Sequence, residues 1–167
     1  KIIVIQPFGR GAEKKSESEV VDLTGRSIEL QNLWSIIKKL SKQYGVMVMS
    51  EFGLEFKTHG GINQPVALPL QTHIRIWAAI IKQVDHFVGC DSVGQHIAYA
   101  FDKTITVLIG STFPVNTSFP DKDHVDIIDL GKDSRIYSPI RITQDEYSDR
   151  LNEGIMEMDK NQEEKVV

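Results

Sequence analysis

The feature that most constrains this chain is an alternation. Short, unbroken apolar runs rich in β-branched residues are each followed by a polar turn and then by a stretch with helical spacing. The first run, Ile2, Ile3, Val4 and Ile5, closes at Gln6-Pro7. Runs of the same kind recur at 46–49, 86–90, 104–109 and 125–130, with a shorter one at 66–70 that Pro69 confines to an edge position. A run too short for a helix and without polar alternation suits a strand buried on both faces, as in a parallel sheet. Over residues 28–44, Leu30, Leu33, Trp34, Ile37 and Leu40 fall three or four apart, Lys38, Lys39 and Lys42 sit late, and Gly45 offers a C-cap. A second helix is predicted from an N-cap at Thr72 to Val84, with Ile76, Trp77, Ile80 and Ile81 on its apolar face. Further helices are predicted over 92–101 and, charged and amphipathic, over 143–160. The polar stretches 8–27 and 50–64 and the proline-bearing 110–121 read as loops, and 161–167 as a frayed tail. Strands alternating with helices make βαβ units. The fold class is therefore α/β: a Rossmann-like parallel sheet with helices on both faces, in one domain over residues 1–160.

Composition removes several function classes. The chain has 167 residues, 41% hydrophobic and 25% charged, which is enough for one core and ordinary for a globular protein. Its formal net charge is −4 and its basic residues are not massed beyond Lys14-Lys15, which argues against nucleic acid as a partner. Cys90 is the only cysteine, so there is neither a disulfide framework nor a thiolate zinc site, and a reducing, cytoplasmic location is expected. No apolar run approaches the roughly 20 residues that span a bilayer, so no transmembrane segment is expected. The opening run is too short for a signal peptide. The first residue is Lys rather than Met, which leads us to expect a piece of something larger, or a chain that has lost a leader.

Two loops carry the chemistry. In open α/β sheets, ligands bind beyond the carboxyl ends of the strands, where helix N-termini offer unpaired N–H groups and partial positive charge. The loop after the first strand holds Gly9, Arg10 and Gly11, with Lys14 and Lys15 downstream; any of Arg10, Lys14 or Lys15 is a candidate for phosphate. At the second junction, Gly89-Cys90-Asp91-Ser92-Val93-Gly94-Gln95-His96, Ser92 is expected to cap the helix, Gly94 to let a ligand approach the backbone, and His96 to donate one turn further in. Glu51 and Glu55, after the second strand, are weaker candidates for ribose hydroxyls. His59, His73, His86 and His124 lack organised neighbours and read as structural. Asp121, Asp123 and Asp126 with His124 do not have the spacing of a calcium loop, so no metal is expected there. Gly9-Arg10-Gly11 is not a dinucleotide fingerprint, because Lys14 stands where the third glycine belongs, and a Walker A loop is absent. A nicotinamide dehydrogenase and a P-loop ATPase are thereby disfavoured.

The stretch from Phe87 to Pro114 resembles the signature of glycosyltransferase family 9, the heptosyltransferase family. Asp91, Ser92, His96 and Ala98 match its Asp-Ser/Thr-Gly-x-x-His-x-Ala pattern, and Gly110, Thr112 and Pro114 its following Gly-x-Thr-x-Pro turn. The opening loop through Lys15 is similar, more loosely, to the family's phosphate-contacting loop. Val93 departs from the pattern, with the glycine one place later at Gly94. The resemblance implies the C-terminal, donor-binding half of a two-domain (GT-B) glycosyltransferase, with Asp91, Ser92, Gly94, His96, Gly9, Arg10, Lys14 and Thr112 around the diphosphate of a nucleoside-diphosphate sugar. It also implies no cofactor and no metal. The acceptor site and general base would lie in a separate N-terminal domain, so the isolated chain is expected to be inactive. Two alternatives stay open: a non-catalytic nucleotide-binding or assembly module, and a sugar-nucleotide epimerase of related architecture.

Overall fold

A computed structural model describes residues 1–54, 66–68, 73–136 and 154–167. Six strands form one all-parallel sheet: β1 (Ile2–Gln6), β4 (Gly45–Met49), β5 (Val66–Leu68), β6 (His86–Cys90), β7 (Thr104–Ile109) and β8 (Val125–Asp129). Their order across the sheet is β5-β4-β1-β6-β7-β8. The chain first builds outward from β1 through β4 to β5, then returns to β1 and builds the other way. The order thus reverses between β1 and β6, the switch point at which such sheets open a crevice.

The apolar runs are buried on both sides, as their lack of alternation predicts. Ile3 and Ile5 of β1 and Val88 and Cys90 of β6 join one core with α1 (Leu30–Leu40). Val4, Phe87 and the odd-numbered Ile105, Val107 and Ile109 of β7 join the other, beneath α2 (Ile74–Gln83) and α3 (Val93–Ala100). Helices therefore cover both faces. The thiol of Cys90 is wholly buried, and burial pushes it well above the ordinary thiol range.

Four local expectations are corrected. The polar stretch after β1 is not all loop: β2 (Glu13–Ser16) and β3 (Glu19–Val21) pair as an antiparallel hairpin. Helix α1 ends at Leu40 with Ser41 as its C-cap, and Gly45 instead begins β4. Helix α2 starts from His73, whose side chain accepts the Arg75 N–H at 3.2 Å; Thr72 lies outside the described residues. A short helix, α4 (Pro114–Thr117), interrupts the loop after β7.

The largest correction is the tail. Residues Lys160–Val166 form a helix, α5, opened by a capping box in which Asp159 and Gln162 exchange hydrogen bonds of 2.8 and 2.9 Å. The predicted helix over 143–160 falls outside the described residues up to 153, and 154–159 is not helical. What holds α5 is a charge turned inward. The carboxylate of Glu163 accepts from Asn32 Nδ2 (2.8 Å), Ser35 Oγ (2.6 Å) and Lys39 Nζ (3.0 Å), all on α1. Asn32 also donates to the Met158 carbonyl and accepts the Met158 N–H.

Burial alone would raise the Glu163 pKa, but the bonds from Ser35, Asn32 and Lys39 together hold it below its ordinary 4.5. A depressed carboxylate pKa contributes stability that is present above the unfolded value and is lost as pH falls through the folded one. Acidification below about 4.5 should therefore release α5 from α1. Glu163→Gln should cost about 2 kcal/mol at neutral pH and flatten this acid limb, as read from urea midpoints across pH.

Candidate functional site

At the switch point the carboxyl ends of β1 and β6 part around a cleft of about 660 Å³, within the range of small-ligand sites. Gln6, Arg10 and Arg26 come from the β1 side, Asp91, Ser92, Val93 and His96 from β6 and α3, and Glu51, Ile74 and Trp77 from the β4 and α2 side.

The loop that carries Arg26 is fixed by hydrogen bonds before it reaches α1. The Gly9 N–H donates to Ser27 Oγ (2.9 Å), Ser27 donates to Asp22, and the Ile28 N–H donates to the Pro7 carbonyl (2.8 Å). Gly25 takes a left-handed φ of 64°, and its carbonyl accepts the Ser111 N–H at 3.1 Å, which ties this loop to the turn after β7. Arg26 then reaches across the cleft floor. Its Nη2 donates to the Asp91 carbonyl at 2.9 Å, and its Nε stands 3.2 Å from Asp91 Oδ2, paired by charge but off-line for a hydrogen bond.

Asp91 is 4% exposed. Besides Arg26, its carboxylate accepts from Thr112 Oγ1 at 2.9 Å and from Gln95 Nε2 at 3.3 Å. It therefore binds three segments of protein together. Thr112, 6% exposed, is part of the same knot.

The N-terminus of α3 is also closed from within. Ser92 is the N-cap residue, but its side chain makes no capping bond; its Oγ accepts from Gln6 Nε2 at 2.8 Å instead. Gln6 Oε1 in turn accepts the Gly94 N–H at 2.9 Å. The glycine expected to admit a ligand admits Gln6: a Cβ at Gly94 would fall 2.0 Å from Gln6 Oε1 and 2.6 Å from the Phe87 ring.

The expected residues thus divide. Arg10, Asp91, Ser92 and His96 come together around the cleft, and of these Arg10 and His96 are exposed. Gly9, Gly94 and Thr112 are buried and engaged with protein partners. Lys14 lies on β2, where its ammonium bonds Glu17 at 2.5 Å and the Gly53 carbonyl at 2.9 Å, and it does not line the cleft. Lys15 is exposed and paired with Glu13. Glu51 lines the cleft; desolvation at the wall, opposed by the charge of Arg10, raises its carboxyl pKa above the ordinary range. Glu55 and His59 lie outside the described residues. His86 bonds Thr106 Oγ1 at 2.9 Å, and His124 stacks on Tyr99, both away from the cleft.

Sequence reasoning missed Gln6 and Arg26; Trp77, expected on the apolar face of a helix, is in the core and also lines the cleft. For Arg26 a signal was present, a basic residue in Gly25-Arg26-Ser27 directly before a helix. For Gln6 there was none, because its partner Ser92 is 86 positions away.

This architecture has relatives among solved structures. The ADP-heptose lipopolysaccharide heptosyltransferase II of E. coli aligns over 76% of this chain with a TM-score of 0.53 and 15% identity. A family 9 glycosyl transferase from Veillonella parvula aligns over 76% with a TM-score of 0.56 and 11% identity. The E. coli heptosyltransferase WaaC, solved with ADP-2-deoxy-2-fluoro heptose, aligns over 75% with a TM-score of 0.50 and 14% identity. The fold is shared with heptosyltransferases. At such identities the likeness is one of fold, and this chain spans only 38%, 34% and 36% of the length of those three structures. No protein-family model and no curated protein matches the sequence. Among the described residues no helix is long and apolar enough to cross a membrane.

Because Asp91 is a buried charge with its partners already in place, removing it strands Arg26 and Thr112. Asp91→Ala should cost about 3 kcal/mol and Thr112→Val about 1 kcal/mol, measured as shifts of the urea unfolding midpoint.

Proposed function

We infer that this chain is the donor-binding part of a glycosyltransferase, and that its cleft takes the diphosphate of a nucleoside-diphosphate sugar. The observation that carries this reading is the placement of Arg10, Arg26 and His96 around a nucleotide-sized cleft at the switch point of the sheet. The guanidinium of Arg10 suits a diphosphate because it carries a planar fork of N–H donors that matches phosphate oxygens, and Arg26, whose Nε and Nη2 face Asp91, adds its remaining N–H groups. Arg26 keeps its orientation through Asp91, so its donors are set before a ligand arrives. Glu51, on the wall opposite α3, is positioned to accept from ribose hydroxyls. Ile74, Trp77 and Val93 give the cleft an apolar side for the base.

In transfer, negative charge grows on the leaving diphosphate. Arg10, Arg26 and His96 would stabilise that charge by hydrogen bonds from the cleft wall. The acceptor hydroxyl and the base that deprotonates it belong, on this reading, to a separate acceptor-binding domain. The neighbours' association with ADP-heptose makes ADP and ADP-linked sugars the first ligands to try.

Half of a two-part site should bind weakly, with a Kd of about 0.5 mM. At about 5 mM ligand, linkage then adds roughly 1.4 kcal/mol, a rise of about 4 °C in Tm for a domain of this size. Arg10→Ala and His96→Ala should each reduce that rise to below about 1 °C, whereas Lys14→Ala should leave it unchanged. A folded protein whose Tm no nucleoside diphosphate or sugar nucleotide raises selectively would overturn the donor-binding reading.

A further inference from the structure

Behind the cleft wall lies an aromatic arrangement that donor binding alone does not explain. His96 and Tyr99 stand three positions apart on α3, so their side chains leave the same face of the helix. Phe119, from the loop between α4 and β8, lies against both. Its ring stacks on Tyr99, with centroids 3.7 Å and planes 7° apart, and meets the His96 imidazole at 5.6 Å and 82°. Edge-on contact at such a distance is a geometry that aromatic pairs favour. Tyr99 also stacks with His124, further along the same segment, at 5.5 Å. Turns fix the backbone around Phe119: the Ser118 N–H donates to the Pro114 carbonyl (2.9 Å), and the Lys122 N–H to the Phe119 carbonyl (3.3 Å). His96 lines the cleft and Phe119 does not. Among the described residues no hydrogen bond or ion pair holds the imidazole, so the contact with Phe119 is what orients it.

We propose that Phe119 is a positioning residue for the cleft: pinned by Tyr99, its ring limits the rotamers of His96 and keeps the imidazole at the cleft wall, ready for a phosphate oxygen. On the donor-binding reading, on which this role rests, the ligand is a diphosphate, and Phe119 acts on it without touching it. An exposed histidine on a helix otherwise divides its time among several χ1 and χ2 settings, and a ligand must select one on arrival. Ordering one such side chain beforehand raises affinity roughly three- to tenfold. Because Phe119 stands outside the cleft, the whole of that gain passes through His96.

The test uses Phe119→Leu, which keeps apolar bulk without a flat ring, and Phe119→Tyr, which keeps both. In the ligand-free protein, NMR signals of the His96 ring protons should be displaced by the Phe119 ring current. They should stay displaced in Phe119→Tyr and return to the position of a free histidine in Phe119→Leu. In titrations with ADP, Phe119→Leu should bind roughly three- to tenfold more weakly, and Phe119→Tyr within about twofold of wild type. In a His96→Ala background, Phe119→Leu should weaken ADP binding no further. Equal losses with and without His96, or His96 signals that ignore the leucine, would overturn the positioning role, because Phe119 would then only shape its own loop. Should Phe119→Leu fail to fold, cross-relaxation between the two rings in wild type decides: a strong signal upholds the contact and its absence refutes it. A wild type that ignores ADP removes the donor-binding reading instead, and the ring-current comparison then upholds or refutes the positioning of His96 by itself.

Discussion

Everything at the carboxyl end of this sheet is organised around one buried negative charge. Asp91 directly follows β6, yet it touches the loop before α1 through Arg26 and the turn after β7 through Thr112. A carboxylate out of water is tolerated only when its lone pairs and its charge are met. Meeting them here requires three separately folded loops to converge. The same requirement fixes Arg26, whose guanidinium would otherwise have several orientations to choose from. The placement of Arg26 in the cleft is therefore a product of the anion beneath it.

The second constraint is steric. Phe87 fills the core between β6 and α3 so completely that a Cβ at Gly89 would fall 2.7 Å from its ring, and one at Gly94 2.6 Å. Helix α3 can approach the sheet only with glycine at that point, and this close approach brings the Gly94 N–H within reach of Gln6. The loose reading of this glycine as a space left for ligand mistakes which neighbour uses the space. Close packing of helix on strand and the internal capping of that helix are one geometric fact.

How much of this was legible in the sequence depends on how local the cause is. Ile2 to Ile5 and Thr104 to Ile109 announce buried strands by the absence of polar alternation, and Leu30, Leu33, Ile37 and Leu40 announce the buried stripe of α1. The hairpin of β2 and β3 escapes because Glu13, Lys14, Lys15, Ser16 and Glu19 give it no apolar face to read. Helix α5 escapes because Glu163 reads as a solvent residue when its partners, Asn32, Ser35 and Lys39, are more than 120 positions away. The site follows the same rule. Asp91, Ser92 and His96 are neighbours in the chain and were found together, whereas Gln6 and Arg26 join them only through the order of strands in the sheet.

Cys90 adjoins Asp91 at the floor of this assembly, fully enclosed and held in its protonated form by its surroundings. A thiol in that state is inert toward electrophiles as long as the strands stay shut. Since the chain has no other cysteine, its modification rate becomes a clock for the opening of the central strands, with no background from elsewhere on the surface. The protein thus carries its own reporter of how often the floor beneath the cleft comes apart.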